Sequence, residues 1–246
     1  MSSEIFLSVI IPAYNEGKRI QRSLQEIVAY LRRQKYSSEI IVVDDGSQDQ
    51  TVAIAQNCLK GFPHTILKSE NNAGKGEAVR RGMLQGQGHY LLFSDADLST
   101  PIEETEAFLK HLEKDYDVVI GSRSVKGSNV VKHQPFFREV MGKVFNLFAR
   151  MLAFHHVHDS QCGFKGFSRR SARDLFSRQK LKRFSFDAEI VYLAQRLGYR
   201  LLEKPVIWRN SPQSRVSLWQ DPLNMFMDLI KIRWLHRGEL GDKRKV

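Results

Sequence analysis

The chain has 246 residues, of which 42% are hydrophobic and 26% are charged. This composition supplies enough apolar side chains for a folded core, so it excludes a disordered or fibrous protein. The net charge of +11 is divided unevenly: residues 1–121 carry 13 basic and 17 acidic side chains, whereas residues 122–246 carry 25 and 10. The strongly basic second half favours an anionic partner for that half.

The cysteine content and the apolar runs indicate a cellular location. Cys58 and Cys162 are far apart in the sequence and form no CxxC motif, so we expect neither a disulfide framework nor a structural zinc site. The N-terminus lacks the basic lead of a signal peptide, and no run reaches the roughly 18 apolar residues of a membrane span. We therefore expect a cytoplasmic protein that associates peripherally with the cytoplasmic face of a membrane.

Residues 1–121 alternate short apolar runs, typical of buried strands, with segments of helical periodicity. The predicted strands are 6–14, 39–43, 65–67, 90–94 and 117–121, and the predicted helices are 17–33, one from about 51, 76–87 and one from 101. This alternation predicts an α/β fold, with an open, mostly parallel sheet and helices on both faces.

The second half is less regular. The sequence predicts a loop at 124–134, strands at 163–168 and 200–208, and helices at 135–155, 169–179, 187–197 and 222–235, the last of them amphipathic. Neither an internal repeat nor a low-complexity linker divides the chain. We therefore expect a single domain over residues 5–235, followed by a basic tail at 236–246.

Polar residues follow several of the predicted strands. They are PAYNE at 12–16, DDGS at 44–47, DAD at 95–97 and GSR at 121–123. Any one of these acids is more often a helix cap or a turn former, as Asp45 before Gly46 is. Because ligands of such sheets bind beyond the carboxyl ends of the strands, the recurrence predicts that these side chains converge on one crevice.

The segment Asp95-Ala96-Asp97 is the sharpest of these features. Two carboxylates at the end of a strand suit Mg²⁺ or Mn²⁺, which prefer carboxylate, water and phosphate oxygens. Such a metal would neutralise the charge that develops on a departing nucleoside diphosphate. The alternative is that a D-x-D sequence only caps the helix that follows.

Three further segments point to a nucleotide. Asp44 and Asp45 either form a turn or accept hydrogen bonds from a base or ribose, and Tyr14 and Glu16 lie at the mouth of the first strand. The NNAGKG loop, which contains Lys75, is similar in kind to a phosphate-cradling loop. It is neither a P-loop nor a GxGxxG fingerprint, so an ATPase or a dehydrogenase is not indicated.

The ordered motifs SVIIPAYNE, EIIVVDDGSQDQT, NNAGKGEAVRRGM and LLFSDADLSTP resemble those of the inverting family 2 glycosyltransferases of the GT-A fold. The segments at 158–169, 183–199 and 212–221 are similar to the group of dolichyl-phosphate β-glucosyltransferases and polyprenyl-phosphate glycosyltransferases. The resemblance covers residues 5–235 and implies a nucleotide- and metal-binding half at 5–121 and an acceptor-binding half at 122–235. Relatives in eukaryotes carry an N-terminal membrane helix, whereas this chain starts at the first strand, so we expect either peripheral attachment or a different acceptor.

The resemblance also implies roles for individual residues. The nucleoside contacts would be Pro12, Tyr14, Glu16 and Asp44, with Asp45 beside them, and the metal and donor diphosphate would bind at Asp95, Ala96 and Asp97, near Lys75. The acceptor phosphate would be held by Arg123 and Arg138, and the donor diphosphate would be covered by a segment that contains Arg209 and Arg215.

The chemistry of a phosphate acceptor agrees with these roles. A lipid phosphate is already anionic at pH 7, so it needs cations that bring two anions together rather than a strong base. Arginine suits this task because its planar guanidinium binds phosphate bidentately and stays charged. Asp159 is the base candidate if the acceptor is an alcohol, although a helix cap or an arginine partner is an equally open role.

We therefore expect a metal-dependent glycosyltransferase, active in protein glycosylation, that moves a hexose, with glucose favoured, from UDP-glucose to polyprenyl or dolichyl phosphate. A soluble acceptor or a GDP-mannose donor is the alternative. The basic pI alone suggests nucleic-acid binding, but no helix-turn-helix or RNP motif is present, so no nucleic-acid partner is expected. The basic segment 165–183 and the tail residues Lys243, Arg244 and Lys245 are predicted to face anionic lipid.

Overall fold

The structure, a computed structural model, describes residues 4–132, 136–209 and 220–238. The first half alternates strands and helices: β1 (Leu7–Ala13), α1 (Ile20–Arg32), β2 (Ser38–Asp44), α2 (Thr51–Cys58), β3 (His64–Lys68), α3 (Lys75–Gln85), β4 (Tyr90–Ser94), α4 (Glu104–Leu112) and β5 (Val118–Ser122). The second half contains β6 (Asn129–Lys132), α5 (Phe136–Leu152), β7 (Phe164–Ser168), α6 (Arg169–Arg178), α7 (Phe186–Arg196), β8 (Leu201–Pro205), β9 (Ile207–Arg209) and α8 (Gln220–Leu235).

The main sheet has seven strands in the order β3-β2-β1-β4-β7-β5-β8. All its pairings are parallel except those of β7, which runs antiparallel between β4 and β5. The predicted α/β fold with a mostly parallel sheet is therefore confirmed. Because β2, β1 and β4 are neighbours, the polar segments that follow these three strands emerge side by side.

Both faces of the sheet are covered by helices. Successive strand residues point to opposite faces, so Ile10 packs in one apolar cluster while Val9 and Ile11 pack in the other. The first cluster includes side chains of α3, α6 and α7, and the second includes side chains of α1, α2 and α4. These two layers hold the central strands rigidly and fix the positions of the strand ends.

Most predicted boundaries shift by one to three residues, and three differences have a clear structural reason. Helix α4 begins at Glu104 rather than at residue 101, because Pro101 and Ile102 accept three-residue turn hydrogen bonds from Glu104 (3.1 Å) and Thr105 (3.0 Å). The predicted loop 124–134 contains strand β6, which pairs in parallel with β9. The predicted strand 200–208 is divided at Val206 into β8 and β9, which belong to different sheets. The pairing of β6 joins residues far apart in sequence, so no local pattern reveals it.

None of the described helices is long and apolar enough to cross a lipid bilayer.

Candidate active site

The polar ends of β1 and β2 are bonded directly to each other. The Asn15 amide donates to the Ser47 hydroxyl (2.8 Å), and the Asn15 side-chain oxygen accepts from the Gln48 amide (2.8 Å). Asn15 has a φ of +50° and Leu98, which follows β4, has a φ of +46°. Left-handed backbone at non-glycine residues is unfavourable and clusters at functional sites. Two of the four strand ends that were predicted to converge, those of β1 and β2, are thus in direct contact.

Asp44, the last residue of β2, is 3% exposed. Its Oδ2 accepts from the Ser47 amide (3.2 Å), whereas its Oδ1 is buried and has no hydrogen-bond partner. An unsatisfied buried acceptor is costly, so an N–H or hydroxyl donor from a ligand would be favourable there. Pro12 lies in the neighbouring strand, and Tyr14 is half-buried just beyond it. These are residues for which the sequence analysis predicted contacts with the nucleoside.

Asp45 fastens a loop rather than offering free oxygens. Its Oδ1 accepts from the Ala73 amide (2.9 Å) and its Oδ2 from the Gly74 amide (2.8 Å). Gly74 has a φ of +110°, and a Cβ there would lie 2.5 Å from the Lys182 carbonyl oxygen, so only glycine fits. The loop delivers the next residue, Lys75, to the end of β4.

The two carboxylates of the DAD segment are each paired with a cation from another element. The Lys75 ammonium lies 2.6 Å from Asp95 Oδ1, and Arg19 Nη1 lies 3.5 Å from Asp97 Oδ2. Burial lowers the pKa of Lys75, but Asp95, Asp187 and Asp97 together outweigh it and raise that pKa, so Lys75 stays charged. The buried Ala96 joins the two acids.

Arg19 is a site residue that sequence reasoning missed. The Glu16 carboxylate accepts from Arg19 Nη2 (2.6 Å) and from its Nε, and the hydrogen bond to Glu16 is the main cause of the raised pKa of Arg19. Glu16, expected to contact the nucleoside, therefore directs the Arg19 guanidinium towards Asp97. The only sequence signal was the position of Arg19, five residues beyond Tyr14 at the start of α1.

The donor set fits Mg²⁺ or Mn²⁺. Asp95 and Asp97 offer hard carboxylate oxygens, and their side chains remain 34% and 17% exposed. Within residues 4–132, 136–209 and 220–238, no group of three or more His, Cys, Asp or Glu side chains forms a closed metal cage. The protein would therefore contribute these two carboxylates, and phosphate and water oxygens would complete the coordination.

A second charged cluster lies at the end of β5. Asp159 binds Arg123 bidentately, with distances of 2.6 Å to Nε and 2.8 Å to Nη2, and also accepts from the Arg123 amide (2.9 Å). Burial acts to raise the pKa of Asp159, but the Arg123 guanidinium outweighs it and holds that pKa below its ordinary value. The Arg123 guanidinium also lies 5.3 Å from the centroid of Trp208 in β9. The geometry favours Asp159 as the partner of an arginine over Asp159 as a base.

The loop that carries Asp159 is held from two sides. Glu203 in β8 accepts from the Asp159 amide (2.8 Å), and Asn146 in α5 accepts from the amide and the hydroxyl of Ser160 (3.2 Å each). These partners lie 44 and 14 residues away in sequence, so the pattern of the loop itself did not predict them. The Arg123 guanidinium is therefore fixed by a network rather than by one ion pair.

The structure describes the other three predicted site arginines, Arg209, Arg138 and Arg215, to different extents. The Arg209 side chain is exposed, and its amide donates to the Ser99 carbonyl (2.7 Å), while the Ser99 amide donates to Asp97 Oδ1 (3.0 Å). The end of β9 is thereby tied to the DAD turn. Arg138 lies in α5, but its side chain is outside the described residues, as is the whole of Arg215.

The fold is shared with solved structures whose sequences differ widely from this one. Mannosyl-3-phosphoglycerate synthase from Rubrobacter xylanophilus superposes with a TM-score of 0.66 at 18% identity, over 98% of this chain and 77% of that chain. Glucosyl-3-phosphoglycerate synthase from Mycobacterium tuberculosis, in complex with Mn²⁺, UDP and glucosyl-3-phosphoglycerate, superposes with a TM-score of 0.62 at 20% identity, over 97% and 81%. At these identities the likeness establishes the fold.

Sequence comparison establishes the family. Residues 8–176 match the model of the glycosyl transferase family 2, and this chain belongs to that family and is a glycosyltransferase. It is 36% identical to dolichyl-phosphate beta-glucosyltransferase of Dictyostelium discoideum over 243 aligned residues. This alignment spans 94% of this chain and 74% of the relative. The enzyme of the same name from Drosophila melanogaster is 37% identical over 245 residues, or 94% and 75% of the two chains.

Proposed function

We propose that this glycosyltransferase transfers glucose from UDP-glucose to dolichyl or polyprenyl phosphate with inversion, aided by Mg²⁺ or Mn²⁺. The observation that carries the proposal is the presence of two charged clusters at one edge of the sheet. The first is Asp95 and Asp97 with Lys75, and the second is Arg123 with Asp159. The Asp95 amide donates to the Gly163 carbonyl (3.0 Å), four residues beyond Asp159 in the chain, so the two clusters lie side by side. The names of the similar proteins supply the sugar and the lipid.

The first cluster suits a nucleoside diphosphate donor. The unpartnered Oδ1 of Asp44 would accept a hydrogen bond from the base or ribose, and Lys75 and Arg19 would approach the diphosphate. A metal held by Asp95 and Asp97 would supply Lewis-acid stabilisation of the leaving diphosphate. The protein cations add fixed positive charge at the same place, which favours departure of the anion.

The second cluster suits an acceptor that is already an anion. Asp159 is buried, ionised and bound by Arg123 on both oxygens, so it is poorly placed to remove a proton from an alcohol. A phosphate needs no such base. Arg123, aligned by Asp159 and backed by Trp208, would orient the phosphate oxygen for attack on the sugar. This arrangement favours a phosphate acceptor over an alcohol.

An apolar surface favours a lipid-borne acceptor over a soluble one. Helices α5 and α8 pack together, with Phe148 and Phe226 in an edge-to-face contact at 5.0 Å between ring centroids. Their outer face, which we term the α5–α8 surface, exposes Val144, Leu147, Phe148, Met151, Met227, Ile230 and Trp234. Lys231 and Arg233 of α8 are exposed as well. Apolar side chains interspersed with basic ones suit an anionic bilayer surface.

Three basic residues of the segment 165–183 are poorly suited to the lipid contact first predicted for the segment. Lys165 is buried, and Arg169 and Arg173 donate to carbonyls of residues 86–88, which precede β4. Arg169 and Arg173 therefore lie at the end of the sheet opposite the DAD segment. The α5–α8 surface is better placed, because Asn146 on the inner side of α5 binds the loop of Asp159. The tail residues Lys243, Arg244 and Lys245 lie outside the described residues.

The direct test is incubation with UDP-glucose, Mn²⁺ and a polyprenyl phosphate, followed by organic extraction. We expect a glucose-labelled lipid, and its absence with every common nucleotide sugar would reject the proposal. GDP-mannose and a soluble phosphorylated acceptor serve as parallel substrates, since faster turnover of either would establish one of the alternatives.

The membrane component is tested with vesicles that contain anionic lipid. Replacing Met151 and Trp234, each 65% exposed, by aspartate should weaken vesicle binding at least tenfold, because both the apolar contact and the charge balance are lost. Gln21→Asp, an exposed substitution on α1, changes the charge without touching this surface and should bind as wild type does. Equal binding by all three proteins would exclude the α5–α8 surface as the membrane contact.

A further inference from the structure

A buried ion pair that the proposed mechanism does not use lies close to the DAD segment. Lys165 in β7 and Asp187 in α7 are 2.5 Å apart, with side chains only 1% and 4% exposed. Burying two charges carries a desolvation cost that hydrophobic residues of similar size would avoid. Both residues come from the second half of the chain, yet they lie next to the carboxylates at the end of β4.

The first link from this pair to the site runs through the backbone. The Lys165 ammonium donates to the Cys162 carbonyl oxygen (2.6 Å), and the next residue, Gly163, accepts from the Asp95 amide (3.0 Å). A Cβ on Gly163 would lie 1.9 Å from Asp95 Oδ2. The backbone of residues 162–163 therefore packs directly against the Asp95 carboxylate, and the hydrogen bond from Lys165 to Cys162 fixes this backbone.

The second link runs through Lys75. The ammonium groups of Lys165 and Lys75 lie 5.1 Å and 5.9 Å from the centroid of the same ring, Phe93 in β4. Lys75 in turn is bound to Asp95 Oδ1. Lys75 directly, and Lys165 through the backbone of residues 162–163, therefore both hold Asp95, and Asp187 acts on it by fixing Lys165.

We propose that Lys165 and Asp187 are positioning residues that fix the direction of the Asp95 carboxylate, and through it the binding of the divalent metal. The inference rests on the metal site of the proposed function. Neither residue touches the reacting atoms. Their effect follows from geometry, since a displacement of about 1 Å in a metal-binding carboxylate is enough to weaken a site.

The test measures Mn²⁺ binding directly, from the electron paramagnetic resonance signal of free Mn²⁺ titrated with protein and UDP. We expect Lys165→Met and Asp187→Asn to raise the Kd for Mn²⁺ about tenfold, in the range found when outer-shell partners of metal ligands are replaced. The control is Glu39→Gln. Glu39 is a buried carboxylate that accepts from Ser8 (2.6 Å) and Gln87 (2.8 Å) near the start of β2, the opposite end of the strand from Asp44.

The control should lose thermal stability while it keeps the wild-type Kd for Mn²⁺. The double variant Lys165→Met/Asp187→Leu removes both charges together, which often preserves stability, so it provides a folded protein if a single variant unfolds. A wild-type Kd in the folded double variant would overturn the positioning role and leave the proposed function intact. Failure of the wild-type protein to bind Mn²⁺ in the presence of UDP would overturn the metal site and this inference together.

Discussion

The two charged clusters of the site are built in different ways. The cluster around Asp95 and Asp97 is assembled from the ends of consecutive strand–helix units in residues 1–121, where parallel neighbours deliver polar residues to one edge. The cluster around Arg123 depends on long-range partners: Asp159 from a loop, and Glu203 from β8 behind it. The comparison teaches that the parallel sheet brings the acids of the first cluster together and later segments only fix their orientation, whereas the second cluster exists only when distant segments meet.

The largest effect is expected for Asp97→Ala, which removes one of the two carboxylates at the heart of the first cluster. Turnover of UDP-glucose should fall by about a thousandfold, since a bound metal contributes several kcal/mol to transition-state stabilisation. Glycolipid formation measures the loss. Asp115→Ala, which removes an exposed acid paired with Arg200, serves as the control and should keep wild-type activity. Unimpaired turnover in Asp97→Ala would remove the first cluster from the mechanism.

Arg123→Lys probes the second cluster. A lysine ammonium cannot reproduce the bidentate contact with Asp159, so we expect turnover to fall by about a hundredfold even though the charge is kept. Arg200→Lys makes the same substitution in an exposed ion pair and should change activity less than twofold. If Arg123→Lys were as active as this control, positive charge alone would explain the role of Arg123.

Asp159→Asn separates stability from chemistry in the second cluster. Breaking a buried pair by removing one partner costs about 3 kcal/mol, so the free energy of unfolding at pH 7 should fall by about that amount. The folded pKa of Asp159 is lowered, so its contribution is fully present above the unfolded pKa of about 3.9 and is lost as the pH falls through the folded value.

Urea unfolding between pH 7 and pH 3 measures this dependence. The difference between wild type and Asp159→Asn should be constant down to about pH 4 and should shrink below it. A difference that grew as the pH fell from 7 to 5 would mean that the folded pKa of Asp159 is raised, as expected for a base rather than for an arginine partner.

The smallest effect is expected for Asp44→Asn, at the proposed nucleoside site beside the first cluster. Loss of the buried acceptor should raise the KM for UDP-glucose about tenfold with little change in kcat, because contacts to the nucleoside are the same in the ground and transition states. Asp45→Asn provides the contrast, since Asp45 holds the loop of Lys75 and its loss should lower kcat. Steady-state kinetics distinguishes the two, and an unchanged KM in Asp44→Asn would argue against a nucleoside at that carboxylate.

Much of the first cluster was predictable from sequence because its acids lie next to strands along the chain. The alternating strands and helices predicted the sheet; Asp44 ends a strand, and Asp95 and Asp97 lie within three residues of the end of another. The second cluster was predicted less well. Arg123 and Asp159 were both candidates, but their pairing was one of several open roles, because Asp159 lies 36 residues from Arg123 and its environment comes from β8 and α5.

The sequence by itself determined the α/β class, the order of the strand-end motifs and the family resemblance. These follow from periodicity and from short motifs, which are properties of neighbouring residues. Only the tertiary structure decided that Glu16 directs Arg19 towards Asp97 and that Asp45 binds the loop of Lys75. It also decided that Lys165, paired with Asp187, fixes the backbone that packs against Asp95. The physical reason is that hydrogen bonds and ion pairs form wherever the folded backbone brings charges together, regardless of their separation along the chain.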